Sequence, residues 1–261
     1  MNLSIYQVDA FTSELFAGNP AAVVPLEEWL PDELMQNIAA ENNLSETAFF
    51  VKEGNSYRLR WFTPTIEVDL CGHATLATAH VLFSEPGFSK DEIVFRTRSG
   101  LLTVGKKDGR LLMNFPADHM EKAEAPDVLF QALGIPKTDE VYKSDDYMVV
   151  LNSEEEVAAL NPDIKMLSEV EARGVIVTAP GDKVDFVSRF FAPQSGVDED
   201  PVTGSAHTKS TPYWSKKLGK EELKARQIST RGGDLICTIK GDRVEISGSA
   251  VTYLKGEITV G

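Results

Sequence analysis

Glu46 is the first residue whose type and surroundings indicate chemistry. It stands in the segment LSETAFF, at the edge of an apolar run in which Leu44, Phe49 and Phe50 would shield it from water. Because burial raises the pKa of a carboxyl group towards neutral pH, such a residue suits general acid/base catalysis. A lone Glu at the end of a strand is more often a solvated surface group, so this segment alone leaves both interpretations open.

A second pattern is written twice in the chain. Residues 60–75 read RWFTPTIEVDLCGHAT and residues 189–208 read RFFAPQSGVDEDPVTGSAHT, each with Arg, an aromatic residue, Phe and Pro before acidic residues and a Gly. The second copy has three extra residues between its Pro and its Gly. A repeat of two copies so far apart predicts two similarly folded domains related by a pseudo-twofold axis, and not a solenoid.

Both copies predict a strand that passes through a turn into a helix, which begins at Gly72 or at Gly204. Free backbone N–H groups at a helix N-terminus bind anions, so two such ends facing across a cleft would hold a small carboxylate. His73 lies at the positive end of its helix dipole, where we expect a neutral imidazole. Ser205 takes the same place in the second copy and offers a hydroxyl, and Asp200 could hold or polarise His73. The alternatives are that the glycines merely permit tight turns and that Asp200 caps a turn.

Composition argues against several classes of function. The chain has 40 acidic and 26 basic residues and a net charge of −14, which argues against a nucleic-acid partner. It begins without the pattern of a signal peptide, and no run approaches the roughly 18 apolar residues of a membrane span, so we expect a soluble, cytoplasmic protein. Cys71 and Cys237 cannot form a disulfide framework, and four histidines without HExxH give a metal little support; we expect none.

Short alternating segments bounded by Gly, Pro, Asn and Asp predict many strands, with hairpin turns at KKDG and KGD. Helices are predicted at LPDELMQNIAAEN, at APDVLFQALGI with Gly134 as its end, and after each repeated Gly, the last one broken or kinked at Pro212. The polar segment 115–127 predicts a boundary between an N-terminal domain of residues 1–116 and a C-terminal domain of residues 117–261, whose last strand could pair back with the first domain. The predicted fold class is α+β.

Five segments, taken in order, resemble the PhzF-like isomerases. They are YQVDAFTSELFAGNPAAVV, LSETAFF, RWFTPTIEVDLCGHATLATAHVL, FFAPQSGVDEDPVTGSAHT and GDRVEISGSAV. That family shares the fold of diaminopimelate epimerase, so the resemblance implies two similar pseudo-symmetric domains, each a mixed β-sheet wrapped round a central helix, with the active site between them. It also implies proton transfer between carbons without a metal or an organic cofactor. The best-known member isomerises dihydro-3-hydroxyanthranilate in phenazine biosynthesis.

The resemblance also assigns roles to residues. The family's catalytic Glu, His and Asp match Glu46, His73 and Asp200, and its Ser matches Ser205. The other residues that we assign to substrate binding lie in the two Gly motifs: Gly72, Ala74, Gly204, Cys71 and Thr203. The expected partner is a small substrate that carries a carboxylate, without nucleic acid or membrane, and a homodimer is compatible with this interpretation.

Epimerases of this fold use two facing cysteines, and the corresponding residues here are Cys71 and Thr203. A threonine hydroxyl is a poor base, so two-thiol racemisation cannot run in this chain. Glu46 has no carboxylate counterpart in the second copy, since at the spacing of the two arginines it aligns with Val175. A base on one side favours an isomerase in which Glu46 shuttles the proton. Two alternatives stay open: an amino-acid epimerase or dehydratase that uses Cys71, and a metabolite-binding protein without catalysis.

Overall fold

The computed structural model describes residues 1–86 and 88–260. The strands are β1 (Asn2–Ala10), β2 (Asn19–Leu26), β3 (Glu46–Glu53), β4 (Ser56–Phe62), β5 (Glu67–Val68), β6 (Glu92–Thr97), β7 (Gly100–Lys107), β8 (Arg110–Pro116), β9 (Glu121–Lys122), β10 (Val141–Lys143), β11 (Tyr147–Val150), β12 (Val175–Pro180), β13 (Phe186–Ala192), β14 (Val197–Asp200), β15 (Glu222–Gln227), β16 (Gly233–Lys240), β17 (Arg243–Gly248) and β18 (Ala250–Thr259). The helices are α1 (Asp32–Asn42), α2 (Gly72–Ser84), α3 (Asp127–Leu133), α4 (Glu154–Ala158), α5 (Ile164–Leu167) and α6 (Gly204–Leu218), with a 3-10 turn at Pro193–Ser195.

The chain forms two compact units. The first consists of Met1–Phe115 with Glu245–Gly261, and the second of Pro116–Val244. The last strand belongs to the first unit because β18 pairs antiparallel with β1, from Asn2 opposite Thr259 to Ala10 opposite Ala250. The predicted domain of residues 117–261 therefore differs from the second unit mainly by the segment that follows residue 244.

The order of strand pairing is the same in both units. In the first, β1 and β2 are antiparallel, β2 and β3 parallel, β3 and β4 antiparallel, β4 and β6 parallel, and β6 and β7 antiparallel. In the second, the same alternation runs through β10, β11, β12, β13, β15 and β16. The sequence repeat therefore corresponds to equivalent elements: β4, β5 and α2 in one unit, and β13, β14 and α6 in the other.

An ion pair accounts for the repeated Arg and acidic positions. Arg60 binds Glu67 through two hydrogen bonds of 2.7 Å, and Arg189 binds Glu199 through bonds of 2.7 and 2.9 Å. Each guanidinium also lies over the ring of the Phe two residues later, at 5.1 and 4.9 Å. The three extra residues of the second copy are accommodated at the 3-10 turn between its Pro and its Glu. The repeat thus encodes a fixed strand-to-strand clamp, since paired N–H···O bonds define orientation as well as distance.

One helix in each unit is buried on nearly all sides. Residues 73–79 of α2 are all buried, as are most residues of α6 between Gly204 and Trp214. Their Thr and Ser hydroxyls donate to the carbonyl one turn earlier, as Thr78 does to Ala74 and Ser210 to Ala206, so they can be buried without loss of hydrogen bonds. A helix so surrounded fits the prediction of a mixed sheet around a central helix.

Pro212 does not break α6, which runs on to Leu218, so of the predicted break or kink the break is wrong and the kink stays a prediction. A proline in a helix leaves the carbonyl of the residue four positions earlier without its usual donor. Here that carbonyl belongs to Thr208, and it accepts a hydrogen bond from the backbone N–H of Asp118 at 3.3 Å. The other predicted helix signals agree with the structure: α1 begins after Pro31, and α3 ends at Gly134 in the left-handed conformation. No helix in the described part of the chain has the length and apolar character that a membrane crossing requires.

Candidate active site

Glu46, His73 and Cys71 meet in the first unit. Glu46 is the first residue of β3, Cys71 is the N-cap of α2, and His73 is the second residue of that helix. Glu46 Oε2 lies 3.2 Å from His73 Nε2, and Cys71 Sγ lies 3.5 Å from His73 Nδ1. The side chain of Glu46 is 17% exposed and that of His73 is 6% exposed. The imidazole therefore stands between a thiol and a carboxylate, shielded from bulk water.

The contact between Glu46 and His73 is a pairing of charges without a well-aligned hydrogen bond. Glu46 Oε2 and His73 Nε2 are both buried, and neither has a hydrogen-bond partner of acceptable geometry among the described residues. Buried polar atoms in folded proteins are nearly always satisfied, and exceptions concentrate at functional sites. The two atoms are therefore available to a ligand that donates to one of them and accepts from the other.

The apolar surroundings of Glu46 differ from the expected ones. Side chains alternate between the two faces of a strand, so Ala48 and Phe50 share the face of Glu46, while Phe49 points to the other face. Phe49 belongs to a core cluster with Met35 and the partly buried Leu44. The shielding of Glu46 by Phe49 that the segment LSETAFF predicts is therefore not supported by the strand geometry, while the shielding by Leu44 stays a prediction. Phe50 shares the face of Glu46, and His73 of α2 lies against the Glu46 carboxylate.

The surroundings of His73 favour a different charge from the one expected. Burial lowers the pKa of its imidazole, but the neighbouring groups Cys71 and Glu46 outweigh burial and raise that pKa well above its ordinary value. Burial, together with the Glu46 charge, raises the pKa of the Cys71 thiol to about 11. The thiol is thus protonated at neutral pH, and the charge that acts on His73 there is the Glu46 carboxylate. This direction runs against the prediction of a neutral imidazole, which considered the helix dipole and not this carboxylate.

Among the described residues, these three form a cluster whose possible ligand atoms all lie within 4.8 Å of one another, which is close enough to bind one metal ion. Cys, His and Glu are all zinc ligands. The arrangement, however, places Cys71 at one ring nitrogen of His73 and Glu46 at the other. A single ion binds one nitrogen of an imidazole, so it cannot reach all three residues unless the ring turns. The geometry fits a relay of protons better than a chelate.

In the second unit, Asp200 and Thr203 are hydrogen-bonded to Gln227, a residue that the sequence did not single out. Thr203, the N-cap of α6, donates from Oγ1 to Asp200 Oδ2 at 2.5 Å. Gln227 is fully buried and accepts from the backbone N–H of Thr203 at 2.9 Å, while its amide donates to the Asp200 carbonyl at 2.6 Å and to Thr203 Oγ1 at 3.1 Å. Whether Asp200 also acts on His73, as the sequence predicts, stays a prediction.

Ser205 occupies the place of His73 in the second unit, and its partner is a cation. Arg173 donates from Nη2 to Ser205 Oγ at 3.1 Å. The same guanidinium pairs with Asp145 at 3.2 Å and with the fully buried Asp146. The imidazole and carboxylate of the first unit are thus replaced here by a hydroxyl and a guanidinium. Gly204 and Ser205 begin α6 just as Gly72 and His73 begin α2.

The counterpart of Glu46 is Gly174, one residue before the Val175 that sequence spacing predicts. In the first unit, Thr47 pairs with Phe62; in the second, Val175 pairs with Phe191, which is the repeat partner of Phe62. Val175 therefore corresponds to Thr47, and Gly174 to Glu46. A Cβ atom at Gly174 would lie 2.3 Å from the ring of Phe190. The second unit has no carboxylate at this position and no room for one.

Similar proteins place the chain in a family. The family model described as phenazine biosynthesis-like protein, PhzC/PhzF, matches residues 8–256. The chain belongs to the PhzC/PhzF family. One relative, from Pseudomonas aeruginosa, is named an uncharacterized isomerase and is 54% identical over 261 residues, covering 99% of each chain. A human phenazine biosynthesis-like domain-containing protein is 39% identical over 287 residues, covering 99% of this chain and 100% of its own.

Solved structures agree with that assignment. A PhzF-family protein of Enterococcus faecalis superposes with a TM-score of 0.96 at 51% identity, over 100% of both chains. A hydroxyproline epimerase of Agrobacterium vitis superposes with a TM-score of 0.58 at 8% identity, over 98% of this chain and 92% of the other, which shows a likeness of fold alone. The predicted α+β, epimerase-like fold and the resemblance to the PhzF-like proteins are both confirmed.

Proposed function

We propose that this PhzF-like protein is a cofactor-independent isomerase that moves a proton between carbons of a small carboxylate, with Glu46 as the general acid/base. The observation that carries the proposal is the buried pair of Glu46 Oε2 and His73 Nε2, 3.2 Å apart, each without a well-aligned partner among the described residues. Several family relatives bear the name isomerase, which supports the reaction class.

The chemistry follows from the charges of this pair. Glu46, as a carboxylate, takes a proton from a substrate C–H, and the electron pair moves into the conjugated system that ends at the substrate carboxylate. Glu46, now a carboxylic acid, returns the same proton to another carbon of that system and is a carboxylate again. No atom is gained or lost. The imidazolium of His73 stabilises the negative charge that develops on the substrate between the two steps, and burial strengthens that effect.

Residues of both Gly motifs bind the substrate in this proposal. Gly72 and Ala74 lie in the first turn of α2 and Gly204 in that of α6, where free backbone N–H groups favour a carboxylate. Ser205 supplies a hydroxyl, and Asp200, fixed by Thr203 and Gln227, supplies an acceptor. We therefore expect Ser205→Ala to weaken substrate binding, whereas Glu46→Gln should abolish turnover of the same substrate.

A second candidate rests on the 3.5 Å contact between Cys71 Sγ and His73 Nδ1. If the imidazole accepted the thiol proton, Cys71 could act as the base of an epimerase or a dehydratase. The pKa of about 11 for this thiol opposes that role at neutral pH. The discriminating variant is Cys71→Ala, which the leading proposal tolerates and the second does not.

The proposal is tested by exchange of carbon-bound hydrogen. Small conjugated carboxylates are first screened for stabilisation of the protein against heat, because a ligand of the folded state raises its melting temperature. Each ligand is then incubated with the protein in D2O and followed by proton NMR. We expect the C–H signals of the substrate to decay with wild type, as the isomer forms or as deuterium replaces hydrogen, and to persist with Glu46→Gln. Ligands that bind but show neither isomerisation nor exchange with wild type would instead indicate a binding protein without catalysis.

A further inference from the structure

A cavity in the first unit is lined largely by arginines. Its volume is about 300 Å³, and its walls are Trp29, Asp32, Arg58, Leu59, Arg60, Arg96 and Arg98. Four of these seven residues are cationic, in a chain whose net charge is −14. None of them belongs to the proton-transfer site proposed above. The concentration of positive charge in a concave surface on an acidic protein calls for a physical explanation.

The strand register places like charges side by side. β4 and β6 run parallel, and Arg58 is the direct partner of Arg96 across them. Opposed residues of like charge on neighbouring strands destabilise a sheet. Arg96 makes a hydrogen bond only to a neutral group, Ser56 Oγ, at 3.2 Å, and it has no carboxylate partner in the described residues. Arg58 pairs with the carboxylate of Glu53 at 3.7 Å, and both side chains are about half exposed.

The remaining guanidinium groups are held in place by carboxylates and an aromatic ring. Arg60 is bound by Glu67 and by Asp32, and Glu67 also pairs with Arg98 at 2.6 Å. The ring of Trp29 lies 5.3 Å from the guanidinium carbon of Arg60 and 5.9 Å from that of Arg58. Trp29 therefore orients two arginines by cation–π contact. The wall of the cavity is preorganised, and Arg58 and Arg96 retain unused donors.

The second unit shows that the fold does not need this cluster. Its corresponding strands, β13 and β15, pair Val187 with Arg226 where the first unit pairs Arg58 with Arg96. In the same register, Ile228 stands where the first unit has Arg98. The clamp between Arg and Glu at the centre of the repeat is present in both units. Of the three surrounding arginines, Arg96 has an arginine counterpart in the second unit, whereas Arg58 and Arg98 do not. Arg58 and Arg98 are therefore additions to a sheet that forms without them.

We propose that this cavity is a binding site for a small phosphoryl-bearing anion, separate from the proton-transfer site. Guanidinium groups bind phosphoryl oxygens through paired hydrogen bonds, and a multiply charged anion would remove the repulsion between Arg58 and Arg96. A volume of about 300 Å³ accepts a small molecule but not a folded partner. The occupant is therefore a phosphorylated metabolite or a free phosphate or pyrophosphate ion.

Calorimetric titration with pyrophosphate tests the site, with Arg96→Gln as the probe and Arg226→Gln as its matched control in the second unit. We expect saturable binding to wild type, a loss of affinity of at least about tenfold in Arg96→Gln, and no loss in Arg226→Gln. Citrate, titrated in parallel, should bind more weakly than pyrophosphate if the site recognises phosphoryl geometry. Equal binding of citrate would indicate that the site binds polycarboxylates and is not specific for phosphoryl groups. Glu46→Gln should bind pyrophosphate as wild type does, so the result does not depend on the isomerase proposal.

A second measurement guards against misfolding. Because Arg96→Gln relieves repulsion, its melting temperature without added anion should equal or exceed that of wild type, and pyrophosphate should raise the melting temperature of wild type more than that of the variant. The proposal is overturned if pyrophosphate shows no saturable binding, if Arg226→Gln loses affinity to the same degree as Arg96→Gln, or if a folded Arg96→Gln binds as tightly as wild type.

Discussion

Replacement of Glu46 by Gln should abolish turnover and change the charge of His73. Gln has the size of Glu but cannot take up a proton. General acid/base participation accounts for about 10²–10⁴-fold in rate, and the loss in Glu46→Gln should lie in or beyond that range. Glu46→Asp, one methylene shorter, should retain a fraction of the activity. Glu53→Gln, at the far end of the same strand, serves as the control and should leave turnover intact.

The effect on His73 can be worked from the distance between the charges. Two unit charges 3.2 Å apart attract each other by about 5 kcal/mol at an effective dielectric constant of about 20. This attraction opposes the burial of the imidazolium, which costs several kcal/mol per ion. Without the carboxylate, burial prevails. The pKa of His73 should therefore fall from above its ordinary value in wild type to below it in Glu46→Gln.

Two assays check these expectations. Proton NMR of the imidazole C–H signals, followed across pH, reports the pKa of His73 directly. Urea unfolding at several pH values reports its linkage to stability: a raised pKa in the folded state gives stabilisation that is complete below the unfolded pKa of about 6.5 and is lost as pH rises through the folded pKa. The stability advantage of wild type over Glu46→Gln should therefore shrink as pH rises.

The reasoning would be refuted by either of two results. If Glu46→Gln turned over a confirmed substrate at nearly the wild-type rate, Glu46 would be a structural residue, and the base would have to be sought at His73 or Cys71. If His73 titrated at the same pH in both proteins, the carboxylate would not be the charge that holds its proton.

Three further substitutions test other parts of the molecule. Cys71→Ala should fold and lose less than about tenfold in activity; a loss of about a thousandfold in a folded protein would favour a thiol base. Gln227→Leu removes three hydrogen bonds and should lower the free energy of unfolding, measured in urea, by about 1–3 kcal/mol. An unchanged free energy of unfolding would show that these bonds to Asp200 and Thr203 do not stabilise the fold. Gly174→Ala forces a Cβ against the ring of Phe190 and should lower the free energy of unfolding by about 1–3 kcal/mol. The control is Gly105→Ala, whose Cβ would have its nearest neighbour at 3.7 Å and which should change that free energy little. Equal effects of the two substitutions would contradict the steric argument.

The sequence predicted the architecture well because the repeat carries it in local signals. The Arg and acidic positions, the turn Pro and the Gly that begins each helix all recur in order, and each of them has a local structural reason. Glu46 and His73 could also be selected from the sequence, since their motifs are the segments that most resemble the family. Their contact depends on how β3 and α2 pack, which the order of residues does not give directly.

The failures have particular physical causes. Sequence spacing aligned Glu46 with Val175 because it assumed equal segments between β3 and β4 in both copies, whereas the sheet register differs by one residue. The expectation of a neutral His73, against which its raised pKa runs, followed from a helix dipole considered without the carboxylate beside it. Gln227 escaped notice although a signal was present: in β15 the buried positions are Leu223, Ala225 and Gln227, so a polar side chain stands where the alternation expects an apolar one.

The ring of Phe190, which fills the space beside Gly174, has a consequence for the evolution of the chain. Two copies of one ancestral unit would begin with equivalent sites, and either copy could then lose its carboxylate. In this chain the ring of Phe190 occupies the space that a side chain at residue 174 would need, so a single codon change to an acidic residue there meets a collision before it can offer any benefit. Return to two equal sites requires at least two coordinated mutations, the first of which selection opposes. The arrangement with a carboxylate in the first unit and none at the equivalent position of the second should therefore persist. Lineages that inherit Gly174 and Phe190 should diversify in the molecule that they accept and keep the acidic residue at position 46.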